Sequence, residues 1–273
     1  MQESSLRSDT ISETPGPLET FDGQDYAAHS DTQLIQARKL LAMVSPRPGS
    51  RVLDVGCGNG RVSIELFKRE PSVQMVAFDL SETQIEQARH LRALARIPED
   101  SLHFYVADAG QFSSRNSFDL VFSNAALHWM PIGEMLYQRL FDGLKSGGVL
   151  AVHQGGKDCY RGLHQVARKA VRKLSLDFCF SNWTYPAFYP SDGEMITLLE
   201  TLGFCDVVVE GVETDGSEYP DLPGDFARAG LLPYLSQVPG ESRNDLLQEF
   251  LFLCETDSPD LYSHRLYIHA GKR

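Results

Sequence analysis

The feature of this sequence that most constrains its fold is a short strand followed at once by alternating glycines. Arg51–Val55 is an apolar run containing one acid, Asp54, and it is long enough for a strand but too short for a helix. Gly56, Gly58 and Gly60 follow at every second position, and helical spacing then resumes. Because glycine has no Cβ, such a turn lets the backbone approach a bound ligand closely. The segment therefore predicts the first strand, turn and helix of an α/β ligand-binding domain.

The spacing of these glycines distinguishes between nucleotide ligands. A dinucleotide site has the pattern G-x-G-x-x-G, and its third glycine would fall at position 61, which is Arg61. The second predicted strand is closed by another acid, Asp79. An acid before the turn, the pattern G-x-G-x-G and an acid after the second strand together resemble the S-adenosylmethionine (SAM) site of class I methyltransferases. The same pattern disfavours an NAD-dependent oxidoreductase.

The resemblance implies an α/β fold with a seven-stranded, Rossmann-like methyltransferase sheet. Its strand order would be 3-2-1-4-5-7-6, with the last strand antiparallel. Apolar runs separated by helical spacing agree with that alternation. The predicted strands are Arg51–Val55, Gln74–Phe78, Leu102–Val106, Phe118–Ser123, Val149–His153, Cys205–Val212 and His264–Ala270.

Segment lengths indicate how the domain is organised. Residues 1–24 are rich in Ser, Thr, Glu, Pro and Gly, and we expect a disordered N-terminal tail there, followed by the methyltransferase domain over 25–273. Two segments, at about 155–190 and 213–262, exceed what plain connections need. Insertions at the carboxyl edge of an open α/β sheet lie over the ligand crevice. We therefore expect both to form a helical substrate cap.

Composition narrows the partners. The net charge of −12 argues against nucleic acid, which requires a cationic surface. The five cysteines are scattered without metal-ligand spacing, so we expect no metal, reduced thiols and a cytoplasmic location. The sequence contains neither an apolar run of the ~18–20 residues that a membrane span needs nor a signal peptide, so we expect no membrane partner.

The resemblance also implies which residues bind the cofactor. In class I methyltransferases the glycine turn passes beside the methionine part of SAM, and the acid after the second strand binds the ribose hydroxyls. Helix N-capping is the alternative role for Asp79 and Asp108. Ser81 is the predicted N-cap of the following helix, with Gln84 completing a capping box. The implied cofactor residues are Tyr26, Gln33, Asp54, Gly56, Cys57, Gly58, Asp79, Leu80, Gln84, Asp108, Ala109, Asn124 and Ala125.

A second stretch resembles one branch of that family. Residues 123–130, Ser-Asn-Ala-Ala-Leu-His-Trp-Met, are similar to the trans-aconitate, malonyl-carrier-protein and juvenile hormone acid methyltransferases. All three methylate a carboxylate. Residues 26–33, the region of Trp183 and residues 265–270 agree with the same branch. The implied substrate-binding residues are His29, Trp129, Trp183, Tyr185, Tyr189, Arg265 and Tyr267, and the implied catalytic residues are Gln33, His128 and Trp129.

The chemistry of a carboxylate acceptor suits these side chains. A carboxylate, with a solution pKa near ~4, is already anionic at neutral pH and needs no general base. The protein must align its oxygen with the methyl group and exclude water. His128 is the one candidate general base, and in that role it would suit a hydroxyl or an activated carbon as the acceptor. The alternative is a structural histidine that takes no part in proton transfer.

Two further alternatives stay open at this point. A SAM-binding fold could serve as a non-methylating cyclase scaffold or a regulatory protein. A basic stretch, Arg161, Arg168, Lys169, Arg172 and Lys173, could dock a carrier-protein or coenzyme A-linked small-molecule substrate, or be a solvated helix face.

Overall fold

The structure, a computed structural model, describes residues 31–130, 133–217, 219 and 221–273, without the side chains of residues 31–35. The predicted disordered tail, Tyr26 and His29 lie outside the described residues. The strands are β1 Arg51–Val55, β2 Gln74–Asp79, β3 Leu102–Val106, β4 Phe118–Asn124, β5 Leu144–Gly155, β6 Cys205–Thr214 and β7 Ser263–Gly271. The helices are α1 Asp31–Ala42, α2 Arg61–Arg69, α3 Glu82–Leu94, α4 Gly133–Gly143, α5 Arg161–Lys173, α6 Asp192–Thr201, α7 Leu222–Arg228, α8 Leu232–Gln237 and α9 Gly240–Asp257.

The strands form one sheet in the order β3-β2-β1-β4-β5-β7-β6, which confirms the predicted topology. Strands β1 to β5 pair in parallel, whereas β7 pairs antiparallel with both β5 and β6. Parallel strands bring their carboxyl ends to one edge. The glycine turn after β1, Asp79 on β2 and Asn124 on β4 therefore meet at that edge.

Strand register places a set of polar residues on one face of the sheet. Asp54 pairs with Phe122, two residues before Asn124 on β4. Asn124 pairs with His153, and His153 with Tyr267. Since directly paired residues point to the same face, these side chains form a polar row among the carboxyl-edge positions of an otherwise apolar face.

Helices cover both faces of the sheet. One apolar cluster joins α1, α2 and α3 to the face that carries the polar row, through residues such as Leu40, Ile64 and Ile85. A second cluster joins α4 and α6 to the opposite face, through Tyr137 and Leu199 among others. The sheet is thus packed between two helical layers.

A third apolar cluster forms from the two inserted segments. Residues of α5, such as Leu163 and Val171, pack with Phe226 of α7, Tyr234 of α8 and Phe250 of α9. β5 extends to Gly155 and β6 to Thr214, so the insertions begin slightly later than the predicted 155 and 213. The first follows β5 and the second precedes β7, which places both at the same edge as the glycine turn.

No helix within the described part of the chain is both long enough and apolar enough to cross a membrane.

Candidate active site

The glycine turn is held against the second strand by its own backbone. The N–H groups of Gly56 and Cys57 both donate to the carbonyl of Phe78, at 2.9 and 3.0 Å. Gly56 has φ 71°, and a Cβ built there would overlap the side chain of Ala126. The turn therefore requires glycine here for two reasons, left-handed backbone and contact with the end of β4.

Asp79 connects that turn to the next helix. Its Oδ2 accepts from the N–H of Gly58 at 2.9 Å, and its Oδ1 accepts from the N–H of Ser81 at 3.0 Å. Burial raises its pKa above the ordinary value, while these backbone hydrogen bonds oppose the rise. The carboxylate thus orders the turn and the start of α3, whether or not it also binds a ribose.

Asp54 is almost fully buried beneath the turn, 2% exposed. Its Oδ2 accepts a hydrogen bond of 2.6 Å from Ser63 of α2. Burial raises its pKa from 3.8 to about 7, the Ser63 bond lowers it, and the nearby Asp79 carboxylate raises it further. Burial also raises the pKa of the neighbouring Cys57 thiol, so this cysteine is not a reactive thiolate.

The predicted capping box at the start of α3 is wrong, because only one of its two hydrogen bonds forms. Ser81 is the N-cap and accepts from the N–H of Gln84. The Gln84 side chain does not return to Ser81, whose N–H is taken by Asp79. The Gln84 amide is 2% exposed, and neither its nitrogen nor its oxygen has a partner among the described residues. Its Oε1 lies 3.8 Å from the position of a Cβ on Gly58.

These features fit the predicted SAM site. Buried polar atoms are normally satisfied, so the orphaned Gln84 amide beside bare glycine backbone indicates a place for a polar ligand. Leu80 is 37% exposed at the same edge, as an apolar contact for a base would require. Asp108 is half-buried and accepts from Gly110 N–H at 2.7 Å, next to the buried Ala109.

The end of β4 carries the next part of the edge. Asn124 Oδ1 lies 2.9 Å from His153 Nδ1, so that nitrogen carries the proton. Ala125 has φ 57°, and its N–H donates to the carbonyl of His153 at 2.8 Å. His153 is fully buried, burial lowers its pKa well below 6.5, and its Nε2 has no partner within the described structure.

His128 is buried at 3% exposure in the short 3₁₀ turn Leu127–Trp129. Burial, and secondarily the charge of Arg265, lower its pKa well below 6.5. Its Nδ1 accepts a hydrogen bond of 3.3 Å from the N–H of Gly155. A neutral imidazole with Nδ1 accepting carries its proton on Nε2. His128 is therefore a hydrogen-bond donor at Nε2.

The aromatic candidates meet around His128, where the first inserted segment approaches the end of β4. The rings of Trp129 and Tyr189 lie 4.9 and 5.5 Å from that of His128. Tyr185 is 6.2 Å from Trp129, and its hydroxyl donates to the carbonyl of Gly230. Trp183 packs against Phe180, Tyr185 and Tyr234 of the inserted segments. The structure thus brings Trp129, Tyr185 and Tyr189 together with His128, and Trp183 one layer behind.

The last two candidates lie on β7. Tyr267 is 5% exposed and stacks on His153 at 4.7 Å, with its hydroxyl 3.5 Å from the carbonyl of Gln36 on α1. Arg265 is 7% exposed, and its guanidinium lies 4.7 Å from the ring of Tyr160. Both occupy the face that carries Asn124 and His153.

Three sequence-predicted residues receive no side-chain geometry. Tyr26 and His29 lie outside the described residues, and Gln33 is placed on α1 without its side chain. The structure also shows contacts that the sequence did not indicate. Ser63 partners Asp54, and Gly155 fixes the tautomer of His128. For the contact between Gly155 and His128, the sequence offers a single signal, the glycine that follows the apolar run of β5.

The basic stretch is partly neutralised. Lys169 pairs with Asp257 and Lys173 with Glu249, both at 2.6 Å, and these pairs join α5 to α9. Arg161 pairs with Asp260 at 2.8 Å. These surface pairs favour the solvated-face interpretation over a docking surface.

Comparisons with known proteins identify the family of this chain. A family model described as a methyltransferase domain matches residues 46–179. A trans-aconitate 2-methyltransferase of Deinococcus radiodurans is 35% identical over 231 residues, 81% of this chain and 84% of that protein. One of Variovorax paradoxus is 36% identical over 266 residues, 91% and 96% of the two chains. A malonyl-[acyl-carrier protein] O-methyltransferase of Acetivibrio thermocellus is 31% identical, covering 70% of this chain and 63% of that protein.

Solved structures match the fold. A SAM-dependent methyltransferase from Geobacter sulfurreducens in complex with S-adenosyl-L-homocysteine has a TM-score of 0.59 at 20% identity, covering 87% of this chain and 91% of that one. The [4+2]-cyclase SpnF has a TM-score of 0.60 at 16% identity, covering 88% and 81%. The fold alone is thus shared with a protein described as a [4+2]-cyclase, and the sequence relatives decide the family. This chain belongs to the class I SAM-dependent methyltransferases, with SAM as its cofactor.

Proposed function

We propose that this enzyme transfers the methyl group of SAM to a carboxylate oxygen of a small or natural-product acid. The observation that carries the proposal is the protonation state of His128. Its Nδ1 is occupied by Gly155 N–H and its pKa lies well below 6.5, so Nε2 bears a proton and cannot accept one. An acceptor that must lose a proton during transfer finds no base in His128, whereas a carboxylate arrives as the anion.

The residues around His128 suit the remaining tasks. SAM supplies an electrophilic methyl group on a positively charged sulfur, and transfer is an in-line displacement. A neutral N–H donor at His128 can orient a carboxylate without neutralising its charge. Trp129 and Tyr189 enclose the same imidazole and would keep water from the reacting oxygen.

The names of the relatives point the same way. The two most extensive matches given above are trans-aconitate 2-methyltransferases, and the third is named for a malonyl group on a carrier protein. The ion pairs on α5 leave only part of its basic stretch for a carrier. We therefore place a free small acid ahead of a carrier-linked or coenzyme A-linked one, and assign the two inserted segments to the substrate cap.

The proposal is tested by S-adenosylhomocysteine release from the purified enzyme over matched carboxylic acids and alcohols between pH 6 and 9. We expect turnover with acids only. With SAM saturating, so that titration of Asp54 does not limit cofactor binding, the rate above pH 7 should not vary with pH, since both the acceptor and His128 keep one protonation state there. Turnover of alcohols with a rate that rises through a pKa would refute the carboxylate assignment.

Two histidine variants sharpen the same test. His128→Gln keeps a side-chain donor, so we expect it to retain part of the activity, and His128→Phe, which has no donor, should lose far more. His90→Gln changes an exposed histidine on α3 and serves as the matched control. Equal activity in the Gln and Phe variants would show that the donor has no role. Binding of SAM without turnover on any acceptor would instead favour a non-methylating scaffold.

A further inference from the structure

Arg265 is a buried cation that has no acidic partner among the described residues. It is 7% exposed, its Nε makes no hydrogen bond, and within the described ranges no carboxylate lies in ion-pair distance of it. A buried charge is normally paired, because removing it from water without compensation is costly. Arginine also forms two parallel hydrogen bonds with a single anionic group. Binding an anion would therefore compensate the buried charge of Arg265 and satisfy its hydrogen-bond donors.

The way in which the guanidinium is held leaves its donors free. It lies 4.7 Å from the Tyr160 ring, and such stacking uses the flat face of the group rather than its N–H edge. Arg161, one residue further along, shows the ordinary arrangement: it lies over Tyr262 at 4.1 Å and also pairs with Asp260 at 2.8 Å. Arg265 stacks on the Tyr160 ring in the same way but pairs with no carboxylate in the described part of the chain.

A second unpartnered atom lies close to Arg265. His153 pairs with Tyr267 on β7, and Gly155 with Arg265, so His153 and Arg265 are diagonal neighbours on one sheet face. Diagonal Cβ atoms in such a pair are about 7–8 Å apart. His153 is fully buried, and its Nε2 accepts no hydrogen bond from any described residue. A protonated oxygen of a ligand acid group, or a water bound with it, would satisfy that atom.

The location connects this pair to the reacting groups. Arg265 acts electrostatically on both His128 and His153. If Arg265 bound the oxygen that receives the methyl group, its charge would weaken that oxygen as a nucleophile. The same charge on a different acid group would only anchor the substrate.

We propose that Arg265, with His153 beside it, forms an anion subsite that binds a second, unmethylated acid group of the acceptor. The acceptor class is then a dianion: one carboxylate that reacts near His128, and a second carboxylate or a phosphate-like group on Arg265. A malonyl thioester, with one free carboxylate, would not use the subsite. The inference rests on the proposed carboxylate methylation for its first group only.

Calorimetry on the S-adenosylhomocysteine-loaded enzyme tests the subsite directly. The probes are glutarate, 4-phosphonobutyrate and butyrate, which share a chain length and differ in the second group. We expect the two dianions to bind at least tenfold more tightly than butyrate. Arg265→Gln should remove that advantage and leave butyrate unchanged, and Arg265→Lys should restore part of it. Arg161→Gln, the matched stacked arginine, should change neither.

Each outcome decides the subsite. Tighter binding of only one dianion identifies its second group as carboxylate or phosphate-like and supports the proposal. Equal binding of butyrate and both dianions overturns it, as does absence of dianion binding. An equal loss of all three ligands in a folded Arg265→Gln enzyme, with no rescue by lysine, assigns Arg265 a structural role and also overturns it. If no acid is methylated while the dianions bind through Arg265, the proposed function fails and the subsite stands.

Discussion

Asp54 is expected to make the ligand-free enzyme less stable as pH rises, and replacing it with asparagine should remove that dependence. Its pKa is raised from 3.8 to about 7 by burial, so between these values the folded state holds a proton that the unfolded state has lost. The contribution of Asp54 to the free energy of unfolding is then most favourable below about pH 4, and it falls as pH rises to about 7. A difference of about three in pKa, at roughly 1.36 kcal/mol each, amounts to about 4 kcal/mol.

The Asp54→Asn variant isolates that contribution. Asparagine keeps an oxygen for the 2.6 Å hydrogen bond from Ser63, and it cannot ionise against Asp79. Relative to wild type, the variant should therefore gain about 3 kcal/mol of unfolding free energy between pH 4.5 and 8, because pH 4.5 already lies above the unfolded-state pKa of 3.8. We also expect it to bind SAM more weakly, so stability and cofactor affinity should move in opposite directions.

Urea unfolding of the ligand-free proteins, followed by tryptophan fluorescence across that pH range, measures the difference. Asp119→Asn is the control, because the pKa of Asp119 is lowered by the hydrogen bond from Lys145. Asp119 is ionised in both states above pH 5, so its variant should run parallel to wild type. If Asp54→Asn also ran parallel to wild type, the buried carboxylate would not carry the cost inferred here.

Three more predictions concern the same edge. Gly56→Ala should lower the melting temperature and weaken SAM binding at least tenfold, because its Cβ meets Ala126; Gly49→Ala, with φ 75° and open space, shows the cost of backbone strain alone. Asp79→Asn loses one of the two backbone hydrogen bonds of that carboxylate, and calorimetry should show weaker SAM binding. The folded-state pKa of His153 lies below 6.5, so the free energy of unfolding decreases as pH falls through 6.5, and His153→Gln should make that decrease smaller.

The sheet and its cofactor turn were predictable because their signals are local. The strand containing Asp54, the alternating glycines and the acid at Asp79 each act over a few residues, through hydrogen bonds within the turn and through the two-residue period of strands. The capping box at Gln84 failed because one local pattern competed with another. The Ser81 N–H donates to Asp79 and not to Gln84, so the Gln84 side-chain amide has no partner among the described residues.

What the chain's own sequence determined is the position of its strands and the shape of the glycine turn, whereas the order of the strands was predicted from the resemblance to class I methyltransferases. Only the tertiary structure decided the chemistry of the acceptor side. The tautomer of His128 depends on Gly155, 27 residues away, and the isolation of Arg265 depends on what packs around the end of β7. Protonation and charge pairing respond to burial and to distant neighbours, and no periodicity in the sequence records either.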